Sequence, residues 1–373
     1  MKRKKNLYNK ITDLDVIIDM YDKVVRLNTK NKKKIEEFDN FYSENLSEIK
    51  DILSSKKYVP EKYSIFFIRE PKLRIIMSQG IKDKIVNHLV AKHILIESFD
   101  DVLIDSNCAT RKFKGTHYAI KLFKKYLNEM KRQHEKFYVL KFDISKYFYN
   151  IDHNIVRKII KKRIKDKDAI KILDIIISST NLTYVNEEIN RLKQMHKGEV
   201  GIENVPLYEE DKGFPIGNMT SQIIASVYLN DLDHFIKEKL KIKYYIRYMD
   251  DGVLVCDSKE YLRYSLERIK LFLKNYKLEL NNKTKIYKST ECIEFLGFNF
   301  LIKDKLILKV KKQTKKRFKY KLKKLYKLYK KKQVTKEEML SVRNSYVSHL
   351  KHGNCTNLIN KNVKRIDEIV SKY

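Results

Sequence analysis

The sequence predicts a mixed α+β protein, with an antiparallel sheet and helices packed on it. Two β-rich runs, Tyr244–Tyr248 and Val253–Cys256, flank Asp250, Asp251 and Gly252 and read as a hairpin with those three residues at its tight turn. Upstream, Phe137, Val139 and Lys141 alternate with Tyr138, Leu140 and Phe142, so the run from Phe137 reads as a strand that ends at Asp143. Around these strands lie stretches of helical period, among them Ile85, Leu89, Val90, Ile94 and Leu95.

The strand ends carry the chemistry. Asp250-Asp251-Gly252 alone also fits an ordinary hairpin turn. A second acidic strand end, at Asp143, changes that reading. A buried unpaired carboxylate is costly, so such a group needs water, a cation or a basic partner. Carboxylates on neighbouring strand ends can hold hard divalent cations through oxygen. Two such ions roughly 3.5–4 Å apart are the usual device for in-line displacement at a phosphate.

Further motifs stand in order. Gly213-Phe-Pro-Ile-Gly-Asn-Met-Thr-Ser-Gln222 lies between the acidic runs, Tyr248-Met-Asp-Asp251 closes the hairpin, and Phe295-Leu-Gly-Phe298 follows. With Asp143, this series resembles the palm motifs of a reverse transcriptase, over roughly residues 65–355. The resemblance implies a right-hand polymerase with fingers, an antiparallel palm sheet and a helical thumb. It implies catalytic roles for Asp143, Asp250 and Asp251, with metal held by these carboxylates and the carbonyl of Ile144. Two Mg²⁺ ions are expected, with Mn²⁺ as an alternative. Phe295, Leu296 and Gly297 would form the turn that grips the primer.

In chain order, residues 1–60 read as helical and basic. Lys30–Lys34 is either a solvated helix face or a template contact. Residues 63–78 read as two strands around a Glu70-Pro71-Lys72 turn, with Lys72 and Arg74 on one face by the two-residue period. The resemblance makes these two cations a grip on the incoming nucleotide's phosphates. A helix is expected over 80–104 and another from about Tyr118. Between them, Arg111 would lie near the nucleotide, where its fork fits phosphate oxygens or a base face. His117 reads as a capping or packing residue.

Phe148 stands five residues after Asp143. By resemblance it lies under the sugar and excludes a 2′-hydroxyl, since an apolar ring cannot hydrogen-bond one. Asp152-His153-Asn154 reads as the N-cap region of a helix over 155–164. Residues 180–212 read as an irregular, partly β excursion. The Gly213–Gln222 loop opens a helix over about 220–240, and its backbone would pass under the base pair being formed, with Gly217 permitting close approach. Ile216 stands where most group II intron and retroviral enzymes carry glutamine, and Gln222 where Ser-Pro is common. Both departures resemble the error-prone reverse transcriptases of diversity-generating retroelements. Lys283 matches a lysine near the pyrophosphate leaving group, though lysines abound nearby.

The expected divisions are 1–136, an N-terminal extension with fingers; 137–308, a palm with a fingers-like or irregular insertion at about 156–212; and 309–373, a basic helical thumb. In the last, Lys311–Lys332 interleaves lysines with Phe318, Tyr320, Leu322, Leu325, Tyr326, Leu328 and Tyr329. Ser345-Tyr-Val-Ser-His-Leu-Lys-His-Gly-Asn354 resembles the end of the thumb in the retroelement group.

Composition sets the partners. Eighty-one Lys and Arg against 47 Asp and Glu give a net charge of +34 over 373 residues, which favours a polyanion, with affinity falling steeply in salt. AT-rich codons would also raise the lysine count. The four cysteines have no C-x-x-C spacing and read as thiols of a reducing, cytoplasmic setting. No apolar run reaches membrane-spanning length, so no membrane is expected. Expected partners are template RNA, an RNA/DNA duplex, dNTPs and a small basic accessory protein. The rival readings are a phage-defence reverse transcriptase, an RNA polymerase, which Phe148 disfavours, and an inactive RNA-binding protein.

Overall fold

The computed structural model describes residues 3–69 and 72–371. The chain divides into two compact units, each woven from three stretches: residues 1–110, 144–235 and 269–281 in one, and residues 111–143, 236–268 and 282–373 in the other.

The first unit is mostly helical. Asp13 caps the helix Leu14–Met20 by accepting the N–H groups of Asp15 and Val16. The expected hairpin is present: β1 (Ser64–Ile68) and β2 (Arg74–Ser78) pair antiparallel, with Ile65 opposite Met77 and Ile68 opposite Arg74. The expected turn residues Glu70 and Pro71 lie outside the described residues. Lys72 precedes β2, so the two-residue period does not fix its face relative to Arg74.

The inner face of the hairpin, Ile65, Ile75 and Met77, packs on Val185, Ile189 and Leu192. Those three lie on the helix Thr183–Met195, which corrects the irregular, partly β reading of 180–212 over that stretch, while residues 196–212 are irregular. Their spacing is that of a helix stripe; the Asn, Glu and Arg residues between them obscured it. Burying each such side chain contributes about 1.5–3 kcal/mol, so this helix is the floor on which the hairpin stands.

Asp152 caps the helix His153–Arg163, accepting the Ile155 N–H at 2.9 Å. The helix expected over 220–240 is interrupted: it runs Met219–Tyr228, breaks at Leu229, and resumes at Asn230–His234 before a wide turn.

The second unit holds two antiparallel sheets. In the four-stranded one, β3 (Tyr138–Phe142), β4 (Tyr244–Tyr248), β5 (Asp251–Cys256) and β6 (Lys285–Lys288) stand in the order β4-β5-β3-β6. Val139 faces Val255 and Phe142 faces Gly252 across β3 and β5. In the three-stranded one, β7 (Ile293–Phe295), β8 (Phe298–Ile302) and β9 (Leu306–Val310) follow chain order. One helix, Thr116–Gln133, serves both sheets. Its Phe123 ring lies 5.3 Å from Phe295 and 4.7 Å from Phe300, and its Tyr126 ring lies 5.0 Å from Tyr244.

Three helices end the chain: Lys312–Lys330, Lys336–Leu350 and Thr356–Ser371. Thr335 and Glu338 form a reciprocal capping box on the second. The first carries ten basic residues among nineteen and no acidic one. Its expected apolar stripe is only partly covered: Phe318 is buried and its ring lies 4.2 Å from Tyr346, whereas Tyr320 is 67% exposed.

Candidate active site

The acidic hairpin is tighter than its sequence implied. Tyr248 pairs with Asp251, leaving Met249 and Asp250 alone in the turn. Asp251 and Gly252 already belong to β5, which corrects the expectation of an Asp250–Gly252 turn. Met249 takes the left-handed backbone, φ +57, where a side chain costs about 1–2 kcal/mol. Beneath the turn lies Arg247, fully buried, whose guanidinium donates to the Met249 carbonyl at 3.0 Å. A lone arginine within Tyr-Tyr-Ile-Arg-Tyr was the sequence signal for this prop, and it was missed.

Gly252 serves the neighbouring strand rather than the turn. A Cβ on Gly252 would fall 2.1 Å from the Phe142 ring. No side chain fits there unless that ring moves, and Phe142 directly precedes Asp143. On the outer side, the Thr116 hydroxyl donates to the Tyr248 hydroxyl at 3.1 Å, joining the hairpin to the first turn of its covering helix.

The strand ends meet. The Asp143 and Asp250 carboxyls lie within hydrogen-bonding reach of each other, and Asp251 adds its charge to the same place. Burial first, then the charges of Asp251 and Asp143, push Asp250 up to about 7. Asp251 is also pushed up, by burial, while Lys141 opposes the shift; the Lys141 ammonium lies 3.3 Å from the Asp251 carboxylate. Lys141 is a second residue that sequence reasoning missed. It lies in β3, two positions before Asp143.

Among the described residues, no three His, Cys, Asp or Glu side chains form a self-sufficient metal site. The donor chemistry nevertheless suits a hard cation. Three mutually repelling carboxylates, with Lys141 and Lys311 acting against the charge of Asp251, supply oxygen ligands for an ion whose remaining positions would be filled by water or phosphate.

The other expected residues fall in both units. In the first, Lys72 and Arg74 are exposed. Ile144 is buried and bridges Leu280. Phe148 is half-buried, and its carbonyl accepts the Phe214 N–H at 2.7 Å. The Ile216 carbonyl accepts the Met77 N–H at 3.3 Å, which ties the loop to β2. Gly217 follows at φ +133, and a Cβ on it would lie 3.2 Å from the Met77 carbonyl oxygen, so both conformation and space call for glycine. Gln222 is half-buried near the start of the helix Met219–Tyr228. In the second unit, Arg111 is half-buried and Lys283 exposed. Phe295 is buried, and Leu296 (φ +44) and Gly297 (φ +88) make the tight turn between β7 and β8.

Comparison with known proteins decides the family. The family model described as reverse transcriptase (RNA-dependent DNA polymerase) matches residues 61–300, more than half of the chain. The chain belongs to the reverse transcriptase family. Its helices and antiparallel sheets are the mixed α+β architecture of that family's right-hand polymerase fold. Two curated relatives, the group II intron-encoded protein LtrA of Lactococcus lactis subsp. cremoris and that of its strain MG1363, are each 23% identical over 347 residues, covering 75% of this chain and 53% of the relative. The chain thus spans about half the length of the curated relatives it matches. Two telomerase structures also align. That of Candida tropicalis is 14% identical with a TM-score of 0.47, covering 70% of this chain and 58% of the other. That of Candida albicans, in complex with a fragment of telomeric RNA, is 15% identical with a TM-score of 0.47, covering 91% and 59%. Likenesses at this level bear on neither fold nor function. Among the described residues, no helix of this reverse transcriptase is long and apolar enough to cross a membrane.

Proposed function

We propose that this reverse transcriptase makes cDNA on an RNA template, joining dNTPs to a primer 3′-hydroxyl. The observation that carries this reading is the hydrogen-bonding contact between Asp143 and Asp250 with Asp251 beside them, in a chain of this family. Asp143, Asp250, Asp251 and the Ile144 carbonyl would hold two Mg²⁺ ions, with Mn²⁺ as an alternative. When bound, these ions supply charge neutralisation at the transferring phosphate and at the attacking and leaving oxygens. The protein's own share is positioning: a rigid sheet edge fixes the carboxylates, and the Met249–Asp250 turn presents one of them outward.

In this reading, Lys72, Arg74 and Arg111 meet the triphosphate, and Lys283 lies by the leaving pyrophosphate. Phe148 stands under the sugar and selects deoxyribonucleotides, because its ring offers a 2′-hydroxyl no partner. Phe295, Leu296 and Gly297 hold the primer, and the lysine-rich helix Lys312–Lys330 follows the duplex backbone. The division into fingers, palm and thumb at 1–136, 137–308 and 309–373 belongs to the same proposal.

The finer reading is error-prone copying in a diversity-generating retroelement, with a small basic accessory protein. Ile216 and Gln222 support it. An apolar side chain beside the templating base removes a polar contact, and with it about 1–3 kcal/mol of discrimination. Primer extension on template RNA with Mg²⁺, supplied with dNTPs or with NTPs, tests the activity; extension by NTPs alone would make this an RNA polymerase. Sequencing the cDNA tests the subtype. Excess errors opposite adenine are expected, and uniform fidelity would favour a phage-defence enzyme.

A further inference from the structure

The second unit contains an imidazole cluster that the polymerase reading does not use. His117 lies in the first turn of the helix Thr116–Gln133, next to the Thr116 that bonds Tyr248. Its ring lies 3.8 Å from that of His352. His349, at the end of the helix Lys336–Leu350, rests its ring 4.8 Å from Phe298. Its Nε2 lies 3.6 Å from where a Cβ on Gly297 would stand. Three histidines from two distant parts of the chain thus gather beside the β7–β8 turn, and a short route leads from them through Thr116 to the acidic hairpin.

What surrounds the cluster is basic or apolar. Burial, then His117, hold His349 below the ordinary imidazole range. Burial, then His117, His349 and Lys124, do the same for His352. The groups acting on the pair are therefore His117 and Lys124 from one helix and the histidines themselves; the β7–β8 turn offers Gly297 and Phe298, neither of which titrates. Among the described residues, the groups named as acting on either ring include no carboxylate. A cluster of this kind favours an anion, which would reverse the mutual discouragement of charge.

We propose that His117, His349 and His352 form a seat for a phosphodiester group of the primer strand, next to the turn that grips it. The inference rests on the reading that Phe295–Gly297 lies against the primer. Imidazole nitrogens donate to a phosphate oxygen, and they do so with charge assistance once protonated. The seat therefore holds the primer more firmly as pH falls through the imidazole range. Lys124, which already acts on His352, adds to the attraction for a phosphate.

The test is the affinity of the full chain for a DNA primer annealed to an RNA template, measured with EDTA present so that no chemistry occurs. Anisotropy is read at about pH 6 and about pH 8 at fixed ionic strength, because phosphate binding depends on salt. Wild type is expected to bind about tenfold more tightly at the lower pH. His352→Gln should lose most of that gain, and His352→Arg should bind tightly at both pH values. His117 is exposed, so His117→Gln keeps the test valid if His352→Gln unfolds. Its melting temperature should match wild type while its pH gain shrinks. Variants with the full wild-type gain would overturn the phosphate seat. Extension of the same primer by wild type with dNTPs and Mg²⁺ separates the two claims. Extension with unchanged pH gains in the variants would remove the seat and leave the polymerase reading standing. No extension by wild type would remove that reading and the seat with it.

Discussion

Gly252 stands across β5 and β3 from Phe142 so closely that a Cβ would meet the ring at 2.1 Å. That ring belongs to the residue before Asp143, so packing under the sheet and carboxylate placement are one problem. Gly252→Ala is expected to cost about 2 kcal/mol of stability through overpacking. It should also cut extension by about a hundredfold, since small displacements of reacting groups are costly. Thermal melting and primer extension check this; an alanine variant with wild-type rate would show that the Phe142 ring yields without moving Asp143.

The raised Asp250 gives a pH dependence with a definite sign. Its ordinary value is near 3.8 and its folded value about 7, so the folded, metal-free chain keeps a proton that the unfolded chain loses. Stability without metal should fall as pH rises between those two values. Metal requires the ionised carboxylate, so Mg²⁺ should bind about tenfold more weakly at about pH 6 than at about pH 8. Titrating the melting temperature with Mg²⁺ at both pH values measures this, and equal affinities would contradict it.

Phe148 is half-buried, with its carbonyl tied to Phe214 at 2.7 Å, so its backbone is held while its ring can be trimmed. Phe148→Ala should raise ribonucleotide use about tenfold or more relative to deoxyribonucleotide use, since discrimination by bulk disappears with the bulk. Competing dNTP and NTP incorporation is the readout. An unchanged ratio would return Phe148 to a packing role.

The Ile216 carbonyl ties this loop to β2 through the Met77 N–H. Ile216→Gln should therefore leave the loop intact and restore a polar contact at the base pair. Errors opposite adenine should fall about tenfold in sequenced cDNA. Unaltered errors would detach this position from fidelity.

The sheet and its acidic rim were legible because strands alternate every two residues and acids stand out at apolar strand ends. The turn was misread because Asp-Gly is a common hairpin signal, whereas Gly252 answers to Phe142 on another strand, a contact no local pattern contains. Residues 183–195 were misread because polar residues between Val185, Ile189 and Leu192 masked a helical stripe that only the hairpin above it reveals. Lys141 and Arg247 were passed over as strand residues. Each is a cation whose partner, Asp251 or the Met249 carbonyl, becomes visible only once the strands are paired.

Asp250→Asn is the most direct test, because it keeps the turn's shape and removes one carboxylate. Template–primer binding should stay within about twofold of wild type, while Mg²⁺-dependent extension with dNTPs falls to background. Wild-type extension by the Asp250→Asn chain would contradict the assignment of Asp143, Asp250 and Asp251 as the centre of catalysis.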